Sequence, residues 1–151
     1  MISKHVSFKE GTVSFTALRL GIDNTPTDYH RANMEILAEN VFEPLRKWVG
    51  KPIKINSFYR GPELNKAIGG SSKSQHCEGR AMDIDDTYGH KTNAEMYEYI
   101  KDNLDFDQII WEFGTDENPA WIHVSYVSED SNRNRCLKAY KENGKTKYKV
   151  I

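Results

Sequence analysis

Between Thr27 and Val49 the apolar residues Met34, Leu37, Val41, Leu45 and Trp48 return at steps of three and four. That is the stripe of an amphipathic helix ending at Gly50, with Pro44 expected to bend it. The same spacing predicts a second helix from Thr92 to Leu104 through Met96, Ile100 and Leu104, with Thr92 as N-cap and Glu95 completing a capping box. Ser7-x-x-Glu10 carries the same box signature and predicts a short helix near the N-terminus. The next stretch, Thr12 to Asp23, holds Val13, Phe15, Leu18, Leu20 and Ile22; it suits either a short helix or an ordered loop packed on the main body.

Shorter alternating runs predict strands over about 52–56, 80–85, 107–113 and 121–127. In the second of these Ala81, Asp83 and Asp85 share one face, and Met82 and Ile84 the other. "RGPELNKAIGG" reads as a turn and a short helix, with Pro62 at its first position and Gly69 as its stop. The tail alternates around Asn143-Gly144, the strongest short hairpin signal, so the chain is expected to close with two antiparallel strands. Helices followed by strands in this order predict an α+β fold, a small antiparallel-rich sheet with flanking helices. One unit over 1–151 is expected, with a helical segment over about 1–50 packed on the core and a C-terminal hairpin over about 135–151.

Composition narrows the function classes. Lys and Arg number 21 against 22 Asp and Glu, leaving a formal charge of −1 and no global field toward nucleic acid or anionic membrane. No apolar run approaches the roughly 20 residues of a bilayer span, and "MISKHVSFKEGTVSF" lacks the apolar centre of a signal peptide. A monomer that is cytoplasmic on synthesis, without nucleic-acid partner or membrane insertion, is expected. Cys77 and Cys136 show no C-x-x-C spacing, which indicates neither a disulfide framework nor a thiolate zinc site. His5, His30 and His90 read as surface residues, and the basic tail from Arg133 to Lys149 as a charged hairpin that discourages edge pairing.

The chemistry concentrates in "SKSQHCEGRAMDID". His76 leads into the strand and Asp83 sits on its polar face, while Gly79 and Ala81 let the backbone fold close to an ion. His123, in "WIHVSY", lies on another strand whose neighbours Ile122 and Val124 face the core. Two imidazoles and a carboxylate leave a fourth coordination place for water, as a catalytic zinc site requires.

Ser74-x-His76-x-x-Gly79-x-Ala81-x-Asp83, followed by Trp121-x-His123, resembles the D-alanyl-D-alanine carboxypeptidase and endolysin family of zinc peptidases, which shares fold and metal site with the Hedgehog signalling domain. "INSFYRGPELNKAIGG" looks like that family's strand-turn-Arg-helix segment and "QIIWEFG" like its glutamate-bearing strand; the likeness covers roughly residues 2–127. It implies one zinc ion per chain on His76, Asp83 and His123, with Glu112 as catalytic base. Many members carry the glutamate three residues before the last ligand, where this chain has Ala120, and Glu117 in the loop between the two strands is the alternative base. Arg60 is expected to steady an oxyanion or clamp a substrate carboxylate, Ser74 to bind substrate and Trp121 to wall the cleft. Peptidoglycan stem peptides are the implied partner, cut by a carboxypeptidase or by an endopeptidase of the kind a phage releases to the wall. The competing reading is a non-catalytic metal-bearing module, such as a virion component, on the same fold.

Overall fold

The computed structural model describes residues 1–151. Six strands form one sheet in the order β1-β2-β4-β3-β5-β6: β1 Lys54–Ser57, β2 Ala81–Asp85, β3 Gln108–Glu112, β4 Trp121–Ser125, β5 Arg135–Glu142 and β6 Lys145–Val150. All neighbours pair antiparallel except β3 with β5. That one parallel pair arises because the chain leaves β4 through residues 126–134 and returns on the far side of β3. The architecture is α+β, as the hydrophobic pattern predicts.

The period-two alternation of strands makes the two faces of this sheet chemically different. One face carries Met82, Ile84, Ile109, Trp111, Ile122 and Val124, which join Met34, Leu37, Val41 and Leu45 from the N-terminal helices and Met96 and Ile100 from the later helix in the main core. The other carries Asp83, Ile110, Glu112, His123 and Leu137, and these line an open cleft of about 800 Å³. Burying one face against helices therefore leaves the opposite face to do chemistry.

The predicted helix over 27–49 forms in three pieces: α3 (Asp28–Leu37), a π-helical turn over Ala38–Phe42 and α4 (Glu43–Val49). Pro44 has no N–H to donate, and the wider turn just before it absorbs the break, with the Glu43 N–H bonding Ala38 O. Gly50, at φ 74°, ends the run as expected. Trp48 leaves the buried stripe and stacks on Tyr99 near the surface, ring centroids 4.4 Å apart. Both capping boxes form, at Ser7/Glu10 on α1 (Phe8–Thr12) and at Thr92/Glu95 on the helix Asn93–Asn103. Asn143 and Gly144, at φ 52° and 75°, make the tight turn of the β5–β6 hairpin.

One expectation is corrected. Residues Phe15–Leu20 form a helix, α2, but Phe15 is 85% and Leu18 74% exposed, with Val13 and Leu20 also exposed. Only Ala17 of this helix is buried. The neighbouring segment is tied down by polar bonds instead: Asn24 Nδ2 donates to Thr12 O and Tyr59 O, and its Oδ1 accepts the Gly61 N–H. A six-residue helix held this way needs no apolar face against the body. No helix in the chain is long and apolar enough to cross a membrane.

Candidate metal centre

A 3-10 turn over Gln75–Glu78 carries His76, and Ser74 caps it by accepting the His76 N–H at 3.2 Å. The His76 ring is buried, and its Nδ1 donates to the Phe58 carbonyl at 2.8 Å. A carbonyl can only accept, so the proton sits on Nδ1 and the Nε2 lone pair is free toward the cleft. The turn ends at Gly79, which has φ 73° and whose Cβ, if present, would lie 2.4 Å from His30 O. Only glycine permits the chain to reverse here into β2, and that reversal brings Asp83 back to His76.

Asp83 and His123 are direct partners across the antiparallel β2–β4 pair. His123 Nδ1 stands 3.0 Å from Asp83 Oδ1, and His76 Nε2 stands 3.4 Å from the same oxygen. The three ligand atoms lie within 4.8 Å of one another. Burial works against the Asp83 charge, but the two facing imidazoles outweigh it and hold the carboxyl well below the usual range. Two borderline nitrogens and one anionic oxygen converging on one point suit a divalent ion of zinc's class.

Glu112 is brought to the same cleft by β3, opposite Trp121 on β4. It is 7% exposed and has no ion-pair partner. Burial pushes its carboxyl up to about 7; the charge of Asp83 adds to the rise, and His123 opposes it. A carboxyl near pH 7 that faces a metal ligand set is poised to exchange protons. Phe113 follows at φ 54°, a left-handed geometry uncommon for its type. That break in alternation lets Glu112 and Phe113, consecutive in sequence, both line the cleft.

Arg60, Ser74 and Trp121 line the cleft as well. Arg60 is tied to the centre through its backbone, whose N–H donates to His76 O at 3.1 Å. Its Nη2 reaches Ser74 Oγ at 3.4 Å, while its buried Nε has no partner. The Ser74 oxygen thus already accepts from two donors, and its own O–H remains to be given. Trp121 packs against Phe113 at 5.6 Å between ring centroids. Glu117 lies exposed in the turn between β3 and β4 and does not line the cleft. Asp85 is engaged elsewhere, accepting from Asn93 Nδ2 at 2.7 Å and from Thr87 Oγ1. Cys77 and Cys136 are free, and burial raises the Cys77 thiol above its ordinary value, the reverse of what a nucleophile needs.

The family model of Peptidase M15 matches residues 4–125 of this chain. The chain belongs to the Peptidase M15 family. It is thus a member of a family of zinc metallopeptidases, with a His-Asp-His group able to hold the metal. A search of curated proteins finds no match. The matched span of this M15 peptidase covers β1 to β4 and stops before the β5–β6 hairpin.

That hairpin nonetheless shapes the cleft. Arg135, Leu137, Thr146 and Tyr148 line it, and none was singled out by sequence reasoning. Alternation along β5 and β6 groups these residues on common faces, but nothing local says which face meets the metal centre. The pairing of β5 with β3, set between residues distant in sequence, decides it. A second unforeseen feature is Asp107, 1% exposed, which accepts from Gln75, the residue before His76, and from Arg133.

Proposed function

We propose that this M15 peptidase hydrolyses D-amino-acid-containing peptides of bacterial peptidoglycan, using zinc on His76, Asp83 and His123. The observation that carries the reading is the placement of a buried, unpaired Glu112, its carboxyl near 7, in one cleft with the three converging ligands. That placement favours catalysis over the non-catalytic alternative, even though position 120 is alanine.

Bound there, zinc would supply Lewis acidity toward the scissile carbonyl and an acidified water. Glu112 takes the proton from the attacking water and returns it to the leaving amine. Arg60, lining the cleft, offers the Nη groups of its guanidinium to the oxyanion or to a substrate carboxylate. Ser74 holds Arg60 and His76 in place and donates its O–H to the peptide. Trp121 and Phe113 form an apolar wall for side chains. Arg60, the 69–75 loop and the hairpin all line this open cleft, a lining broader than the ligand set that favours a substrate continuing past the cut bond, an endopeptidase.

The test is digestion of purified peptidoglycan by zinc-loaded protein, with and without chelator. Soluble peptides should appear only with zinc, and their masses identify the bond: free D-alanine for a carboxypeptidase, larger fragments for an endopeptidase. No release under either condition would refute the assignment.

A further inference from the structure

We propose that Tyr148, on the hairpin beyond the family-matched span, is a catalytic residue of the same centre, its phenol O–H donating a hydrogen bond to the oxyanion of the substrate. This rests on the hydrolytic reading above. The placement follows from register. Glu112 on β3 pairs with Ala139 on β5, and Ala139 pairs with Tyr148 on β6. Directly opposed residues share a face, so Glu112, Ala139 and Tyr148 form one row across the sheet. Two strand spacings separate the outer members, about 10 Å between backbones. Ala139 between them is fully buried and carries only a methyl group, so the long phenol side chain has room to lean toward Glu112.

Other observations agree. Tyr148 and Glu112 line the same cleft as His76, Asp83 and His123. Among the groups that oppose ionisation of the Tyr148 phenol are the Glu112 and Asp83 carboxylates, after burial, so the ring lies within electrostatic reach of both. The hydroxyl therefore stays protonated at working pH and remains a donor. It has no hydrogen-bond partner within the protein, and the neighbouring Thr146 Oγ1 is already taken by Lys141 Nζ at 2.9 Å. Tyr148 is 55% exposed on an edge strand, so removing its oxygen leaves the core intact.

The test is zinc-loaded Tyr148→Phe. Loss of one oxyanion donor should lower kcat about 100-fold while KM, zinc content and Tm stay at wild-type values. A phosphinate dipeptide isostere, titrated by calorimetry, should bind the variant about tenfold more weakly. A kcat within twofold of wild type overturns the assignment. So does a pattern in which Tyr148→Phe is normal and Tyr148→Ala raises KM alone, which would make the ring a wall. Should the wild type release no peptide, the hydrolytic reading fails by itself, and the phosphinate titration still decides: equal affinities, or no binding by the wild type, overturn the role of Tyr148.

Discussion

Gln75 and Asp107 are joined by a hydrogen bond, Nε2 to Oδ2 at 2.9 Å, that ties the turn holding His76 to the start of β3. Asp107 also accepts from Arg133 Nε at 3.0 Å, Nη2 at 2.7 Å and the backbone N–H at 3.1 Å. One buried carboxylate thereby anchors the His76 turn and the loop leading to the hairpin. Burial opposes its charge, but the bonds from Arg133 and Gln75 prevail and hold its carboxyl below the usual range.

Asp107→Ala should therefore destabilise the fold by about 2–3 kcal/mol at neutral pH, the Arg133 side chain being half exposed and partly resolvated. The folded-state value is depressed, so the stabilisation is present above the unfolded carboxyl value of about 4 and is lost as pH falls through the folded one. Urea unfolding of both proteins across the acid range should show the difference shrinking toward low pH.

Glu112 behaves in the opposite sense. Its folded value, about 7, lies above the unfolded one, so the ionised side chain destabilises the fold once pH exceeds the unfolded value. Metal-free Glu112→Gln should be more stable than wild type by roughly 2–3 kcal/mol at pH 8 and equal to it near pH 4. Loaded with zinc, the same variant should keep its metal and lose at least about 100-fold in kcat. Thermal unfolding and elemental analysis check the two halves separately.

Replacing His76, Asp83 or His123 by alanine should abolish tight binding of one zinc ion per chain, because each removes one of three donors. Competition with a chromogenic chelator measures this without reference to activity. Wild-type activity should also fall on acidification, as protons compete with the metal for its imidazole and carboxylate ligands.

Arg60→Lys retains a charge but loses the planar fork of the guanidinium, whose Nη2 reaches Ser74 Oγ at 3.4 Å. It should lower kcat/KM about tenfold, and Arg60→Ala about 100-fold, with zinc content unchanged in both. Steady-state kinetics on a defined stem peptide, set beside metal analysis, measures it.

The local chemistry of this chain was readable directly. Capping boxes at Ser7 and Thr92, the stop at Gly50 and the Asn143-Gly144 turn act within a few residues, so their neighbours along the chain are sufficient to specify them. The meeting of His76, Asp83 and His123 was legible only through the likeness of their joint pattern to a known family, since each alone reads as an ordinary side chain. The π-helical turn before Pro44 and the exposure of Phe15 and Leu18 were not, since apolar spacing reports a face but not whether anything packs on it.

Tertiary structure alone decided which residues complete the cleft. Period-two alternation sorts β5 and β6 side chains into two sets without naming the set that meets the metal centre. Only the parallel pairing of Gln108–Glu112 with Arg135–Ala139 turns Leu137 and Tyr148 toward it. The same long-range folding buries Asp107 against Gln75 and Arg133, and raises Glu112 by removing it from water. Such effects depend on groups distant along the chain, and no local pattern encodes them.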